Sequence, residues 1–131
     1  MADPAHILVF CEDPTIGESL RAHLASEGFS ATGSKTPLEA AWCLADGRVD
    51  LFLIHLPNAK WVTSAFVMEA RAAHPTLPII GLAPTISNEL GQRLARLHLF
   101  KVLPASTSWQ GLAQTIHEAL GSLESATGGQ A

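Results

Sequence analysis

Residues 6–14 read HILVFCEDP, and this stretch shows the pattern from which the fold is inferred. The run from Ile7 to Phe10 is apolar without polar alternation, as expected for a β-strand that is covered on both faces of a parallel sheet. Pro14 suits the first turn of a helix, where a missing N–H costs nothing. The stretch therefore predicts a buried strand over residues 6–11, followed directly by a helix.

The same alternation of strand and helix recurs along the chain. Further strands are predicted at residues 29–33, 51–54, 79–82 and 100–103, and each is followed by apolar residues at helical spacing. The strand at 51–54 is the most apolar and should be central. We expect an α/β fold, a flavodoxin-like (βα)5 doubly wound parallel sheet with strand order 2-1-3-4-5.

The helical patterns also predict which large side chains face the sheet. The residues expected on the inward stripes of their helices include Ile16, Leu20, Leu24, Leu38, Trp42, Ala45 and Trp109. The last helix is predicted to end near Leu123. The chain has 131 residues, a length that favours a single domain. We therefore expect a domain over residues 1–123 and a flexible tail or start of a linker over 124–131.

Composition excludes several classes of protein. A hydrophobic content of 47% excludes a disordered chain, and 8 Lys plus Arg against 12 Asp plus Glu make direct contact with nucleic acid improbable. No apolar run approaches the roughly 18 residues that span a bilayer, and the first residues lack a secretory signal. Cys11 and Cys43 fit neither a disulfide scaffold nor a zinc or redox spacing. We expect a cytoplasmic domain with no membrane contact.

Function should be decided at the carboxyl ends of the strands, because these ends meet at one edge of a parallel sheet. The residues at or directly after those ends are Cys11, Glu12, His55, Ala83 and Leu103. No phosphate-binding glycine loop or nucleophile–base pair is visible in the sequence.

The layout over roughly residues 5 to 122 resembles the receiver domain of two-component response regulators, the CheY-like superfamily. The segments that carry the resemblance are ILVFCEDP at 7–14, VDLFLIH at 49–55, LPIIGLA at 77–83 and FKVLP at 100–104. In that family the first strand ends in an acidic pair that holds Mg²⁺, and the third ends in the phospho-accepting Asp. The fourth strand ends in Thr or Ser, and the fifth in Lys followed by Pro.

This chain departs from the family pattern at almost every chemical position. Cys11 stands in place of the first acid and Glu12 keeps the second, whereas His55, Ala83 and Leu103 replace the phospho-acceptor, the hydroxyl and the lysine. Mg²⁺ prefers oxygen ligands, which a thiol and an imidazole do not supply. An alanine offers a phosphoryl group no hydrogen bond, and a leucine offers it no positive charge.

We therefore predict a degenerate, or pseudo-receiver, domain with no catalytic residues, no cofactor and no enzyme activity. It would act in two-component (phosphorelay) signal transduction independently of phosphorylation, through protein–protein interaction or dimerisation. The alternative is a small-ligand or transition-metal sensor that uses Cys11, Glu12 and His55. Against a metal site stands the simpler interpretation that mid-sized side chains fill the pocket, with His55 hydrogen-bonded to Glu12.

The resemblance also implies a partner surface. In the family, the face made by the fourth helix, fifth strand and fifth helix commonly forms the dimer or partner contact, and an output domain is a frequent partner. The candidates on that face are Glu89, Arg93, Arg96 and Lys101. Phe100 occupies the position of the family's switch aromatic and is expected to be a fixed core residue. Trp61, predicted to lie in a loop after His55, is either a partner or pocket contact or a packing residue.

Overall fold

The protein is described by a computed structural model that covers residues 4–46, 48–55, 61–83, 92, 101–104 and 106–128, with the backbone only for residues 61–65 and 122–128. The strands are β1 His6–Phe10, β2 Ser30–Ser34, β3 Leu51–His55, β4 Ile79–Ala83 and β5 Lys101–Pro104. The helices are α1 Pro14–Ser26, α2 Pro37–Ala45, α3 Trp61–Ala73 and the C-terminal helix Trp109–Gly128.

The strands form a parallel sheet in the order β2-β1-β3-β4-β5, which confirms the predicted topology. β3 lies at the centre, and all five of its residues are buried. β3 is hydrogen-bonded to a strand on each side, and helices cover both of its faces. A strand in this central place is apolar along its whole length, because none of its side chains reaches water.

Alternate side chains of the strands pack on opposite faces of the sheet. Residues such as Leu8, Phe10, Phe52 and Ile54 pack with α2 and α3 in one buried cluster. Ile7, Val9, Leu51 and Leu53 pack with α1 and the C-terminal helix in the other. The residue after Phe10 and the residue after Ile54 therefore both belong to the α1 side of the sheet, which places Cys11 and His55 on the same face.

The beginning of α1 is fixed by Asp13, which lies directly beside the predicted site. Its Oδ1 accepts hydrogen bonds from the backbone N–H groups of Thr15 at 2.9 Å and Ile16 at 3.2 Å, and Pro14 occupies the first turn. These bonds satisfy two of the N–H groups that every helix leaves without a partner at its start. The helix is followed by Gly28 with φ +94°, a left-handed conformation that glycine adopts without strain.

The predicted inward face of α2 is wrong. Leu38 and Trp42 are 62% and 70% exposed, Ala45 is exposed as well, and the residues that face the sheet are Ala40 and Leu44. The helix carries apolar residues on two stripes, so that periodicity alone does not choose between them. Ala40, which is fully buried, is small enough to bring the helix backbone close to β1, whereas a Trp in that place would hold it away.

The ends of three other helices also differ from expectation. Trp109 is 41% exposed and Ile16 is 39% exposed, because both lie in the first turn of their helices, at the rim of the core. Trp61 begins α3 rather than lying in a loop. The C-terminal helix continues past Leu123 to Gly128, since no glycine or proline interrupts residues 122–127.

Within the described residues, no helix combines the length and the hydropathy that crossing a bilayer requires.

Candidate functional site

The sheet brings the predicted site residues to one edge. Cys11 directly follows β1, His55 ends β3, Ala83 ends β4, and Leu103 pairs with Leu82 near the end of β5. His55 pairs in turn with Leu82. This carboxyl edge of the sheet is the place where ligands and reactive groups lie in open α/β folds.

His55 is the most unusual residue of this edge. Its side chain is 8% exposed, and within the described residues its Nδ1 is buried without a hydrogen-bond partner. Burial lowers the pKa of His55 below its usual value, because desolvation penalises the imidazolium, and the negative charge of Asp13 opposes this effect only in part. The predicted hydrogen bond between His55 and Glu12 is absent. Glu12 is exposed at the bend after β1, and the carboxylate whose charge acts on His55 is that of Asp13.

Cys11 has a closed environment of its own. The residue is 2% exposed, and its Sγ–H donates to the carbonyl oxygen of Asp13 at 3.3 Å. Burial raises the pKa of the Cys11 thiol, and the carboxylates of Asp13 and Glu12 raise it further. A thiol with a raised pKa stays protonated near neutral pH and is a poor nucleophile and metal ligand.

Ala83 and Leu103 are parts of the core rather than polar groups of a site. Ala83 is fully buried in the cluster on the α2 and α3 side. Leu103 is 8% exposed and packs in the opposite cluster with Leu82 and Leu112. The positions where the resemblance implies a hydroxyl and an ammonium group are thus occupied by buried hydrocarbon.

Cys11 and His55 line two different cavities, and not the single pocket with Glu12 that the sequence suggested. The cavity beside Cys11 has a volume of about 240 Å³ and opens between α1 and the end of β2. The cavity beside His55, called the His55 cavity below, has a volume of about 310 Å³. Its wall includes His55, Ile16, Ser19, Leu82, Trp109 and Leu112. In the described part of the chain, no three His, Cys, Asp or Glu residues come close enough to hold a metal ion.

Sequence reasoning missed the wall of the His55 cavity. The helical pattern predicts that Trp109 faces the core, and no local pattern marks Ser19 as part of a cavity wall. The available signal was that α1 and the last helix cover the same face of the predicted sheet, so that their first turns flank the end of β3.

The candidate partner residues Glu89, Arg93 and Arg96 and the side chain of Trp61 lie outside the described residues, and so does Phe100, the predicted switch-aromatic position. Lys101 is described. It is the first residue of the edge strand β5 and is exposed, which is compatible with a contact surface.

The parallel sheet in the order β2-β1-β3-β4-β5, with helices on both faces, defines the class of fold, which is flavodoxin-like. No family model matches the sequence, and no curated protein matches it either. Solved structures match over nearly the whole chain. A response regulator receiver domain protein from Methanospirillum hungatei superposes with a TM-score of 0.85 at 19% identity, covering 94% of this chain and 98% of that one.

Two further structures show the range of proteins that share this fold. The signal receiver domain of a modulated diguanylate cyclase from Desulfovibrio desulfuricans has a TM-score of 0.80 at 24% identity and covers 93% of this chain and 98% of its own. An orphan response regulator of H. pylori has a TM-score of 0.78 at 14% identity, with 92% and 99% covered. This chain therefore has the response-regulator receiver fold.

Proposed function

We propose that this chain is an atypical receiver domain of a two-component signalling system, that it is not phosphorylated, and that it acts by contact with a protein partner or with a second copy of itself. It has no enzyme activity of its own in this proposal. The observation that carries the proposal is the chemistry of the carboxyl edge, where His55 is buried and Ala83 and Leu103 are core residues.

The residues of this edge do not fit Mg²⁺. That ion requires oxygen ligands in near-octahedral geometry. Glu12 supplies one exposed carboxylate, but the Asp13 carboxylate already accepts two backbone hydrogen bonds at the start of α1, and Cys11 and His55 offer sulfur and nitrogen. Without a hard cation, the negative oxygens of an attacking group and a phosphoryl donor repel each other.

The edge also lacks compensation for a bound phosphoryl charge. The side chain of Leu103 carries no charge, and that of Ala83 has no hydrogen-bond donor. Burial favours the neutral imidazole of His55. A phosphoryl dianion beside these groups would cost several kcal/mol of uncompensated desolvation.

The exposed surface supports action by contact. The chain contains 15% charged residues, against about 25% in an average soluble domain, so that fewer charges must be desolvated when two surfaces meet. The exposed Lys101 lies at the start of an edge strand, on the face that the receiver resemblance associates with dimerisation and docking.

The proposal is tested by offering the chain a phosphoryl group. The protein is incubated with Mg²⁺ and acetyl phosphate, and separately with Mg²⁺ and beryllium fluoride. We expect no mass increase at neutral pH and no change in the NMR signals of residues at the carboxyl edge. A receiver domain that retains the acidic pair, Asp and Lys is the positive control. A stoichiometric phosphoryl adduct on the wild-type chain would overturn the proposal.

A further inference from the structure

We propose that the His55 cavity is a binding site for a small, neutral, aromatic molecule that carries a hydroxyl or a similar single polar group. The cavity lies between the first turns of α1 and of the C-terminal helix and the ends of β3 and β4. Its volume of about 310 Å³ is at the lower end of the range for ligand pockets, roughly 300–1,000 Å³. This inference goes beyond the proposed function and does not depend on it.

The imidazole of His55 supplies the polar recognition. Its ring lines the cavity, and its Nδ1 is buried without a partner among the described residues. Buried polar atoms in folded proteins are nearly always hydrogen-bonded, and leaving one without a partner costs free energy. A neutral imidazole has one nitrogen that donates and one that accepts. A hydroxyl group can pair with either, so that the proposal holds for both tautomers.

The wall of the cavity favours an uncharged ligand. None of the described residues that line it is an Asp, Glu, Lys or Arg. Beside His55, the lining consists of the apolar side chains of Ile16, Leu20, Leu82, Trp109 and Leu112 and the neutral hydroxyl side chains of Thr15, Ser19 and Thr107. An ion that entered would lose its hydration without gaining a counter-charge. The nearby Asp13 carboxylate, whose charge reaches His55, further disfavours an anion.

Size and shape favour aromatic rings. An apolar cavity of roughly 150 Å³ binds benzene, so that a cavity of about twice this volume accommodates a fused two-ring molecule. Trp109 forms one wall, and its ring is held by stacking on His23, with centroids 4.4 Å apart and an angle of 22° between the planes. The indole thus offers a preformed aromatic surface against which another ring can pack.

The test uses three probes that share the naphthalene ring system, 2-naphthol, naphthalene and 2-naphthoate, titrated into the full chain and followed by NMR. We expect 2-naphthol to shift the indole N–H signal of Trp109 and to bind more tightly than naphthalene, while 2-naphthoate binds weakest. The indole of Trp42, which is exposed on α2 and lines no part of this cavity, is the internal control and should not shift.

Two pairs of variants separate the polar contact from the cavity itself. His55→Phe keeps an aromatic ring but removes its hydrogen bonding, and should weaken 2-naphthol about five- to tenfold while changing naphthalene by less than about twofold. Ser19→Trp fills the cavity from an exposed position on α1 and should abolish binding of both probes. Ala25→Trp places the same side chain at an exposed position on the same helix outside the cavity wall, and should leave binding unchanged.

The proposal is overturned if no probe shifts Trp109, if Trp42 responds equally, or if 2-naphthoate binds best. It is also overturned if His55→Phe weakens naphthalene as much as 2-naphthol, or if Ser19→Trp binds like the wild type. Amide spectra establish beforehand that each variant is folded. Phosphorylation of the wild-type chain would contradict the proposed function but leave these binding results unaffected, so that the two failures are distinguishable.

Discussion

His55 is a base buried at a strand end where the receiver resemblance implies a solvated acid. Because its surroundings are largely hydrocarbon, burial acts on its protonation more strongly than the Asp13 carboxylate does. Burial raises the pKa of Cys11, which follows the neighbouring strand β1, because the thiolate is the charged form of this group. Both groups are therefore held in their uncharged forms by the same low-dielectric edge of the sheet.

The depressed pKa of His55 predicts a pH dependence of stability. Its folded-state pKa lies below the unfolded value of 6.5, so that the unfolded chain binds the proton more readily. Above about pH 6.5, His55 is uncharged in both states and does not lower the free energy of unfolding. As the pH falls from there through the folded-state pKa, the unfolded chain takes up the proton first and the free energy of unfolding decreases. His55→Phe has no proton to bind and should lose less stability than the wild type between about pH 7.5 and pH 5.5.

Urea unfolding at the two pH values measures this difference. His55→Gln, which removes the titrating group but keeps a polar side chain, is the matched control and should show the same reduced pH dependence as His55→Phe. Parallel losses in the wild type and in His55→Phe would contradict the assignment of a depressed pKa to His55.

At the scale of the elements, α2 shows how packing selects one of two apolar stripes. Ala40 and Leu44 face the sheet, while Leu38 and Trp42 face outward. The start of the helix is set by Thr36, whose Oγ1 accepts from the backbone N–H of Glu39 at 3.1 Å. The cap fixes where the helix begins, and close approach to β1 fixes how it is rotated.

This rotation predicts opposite sensitivities for two neighbouring residues. Leu44→Ala should lower the free energy of unfolding by about 2–5 kcal/mol, because it leaves a cavity in the cluster between the sheet, α2 and α3. Trp42→Ala, which removes a larger side chain from the surface, should change it by less than about 1 kcal/mol. Chemical denaturation of both variants measures the pair, and a larger loss for Trp42→Ala would show that the predicted inward stripe was correct after all.

Arg71 connects α3 to the following strand in a way that no local pattern indicates. Its Nη1 donates to the carbonyl oxygens of His74, Pro75 and Leu77, at 3.2, 3.0 and 2.7 Å. These carbonyls belong to the turn between α3 and β4. The guanidinium therefore holds that turn from the end of the helix, and helps to direct β4 into the sheet beside β3.

At the scale of the whole molecule, the carboxyl edge combines residues from four strands. Its chemistry therefore changes only when several of these residues are substituted together. We expect Cys11→Asp, His55→Asp, Ala83→Thr and Leu103→Lys together to allow phosphorylation by acetyl phosphate with Mg²⁺. His55→Asp alone should not, because it restores the acceptor without the metal ligand or the ammonium group. Intact mass at neutral pH measures the adduct.

The matched control for this experiment is the combination without Leu103→Lys, which should fold more stably and accept the phosphoryl group poorly. Circular dichroism shows whether each variant retains the fold. Efficient phosphorylation of His55→Asp alone would contradict the physical basis of the proposed function, since the missing cation and ammonium would then be dispensable.

The sequence by itself determined the succession of strands and helices and the residues at the carboxyl ends of the strands. Those features follow from local periodicity, from the uniform apolar run of a strand such as Leu51–Ile54 and from residues that suit the first turn of a helix, such as Pro14. Each of these signals lies within a few residues of the element that it defines.

Only the tertiary structure decided which stripe of α2 is buried, that His55 and Cys11 line separate cavities, and that Nδ1 of His55 has no partner among the described residues. These properties depend on distances between side chains that are far apart in sequence, such as His55 and Trp109, which line one cavity. Periodicity identifies a face that can be buried, but the contact with another element determines which face is buried and what space remains between them.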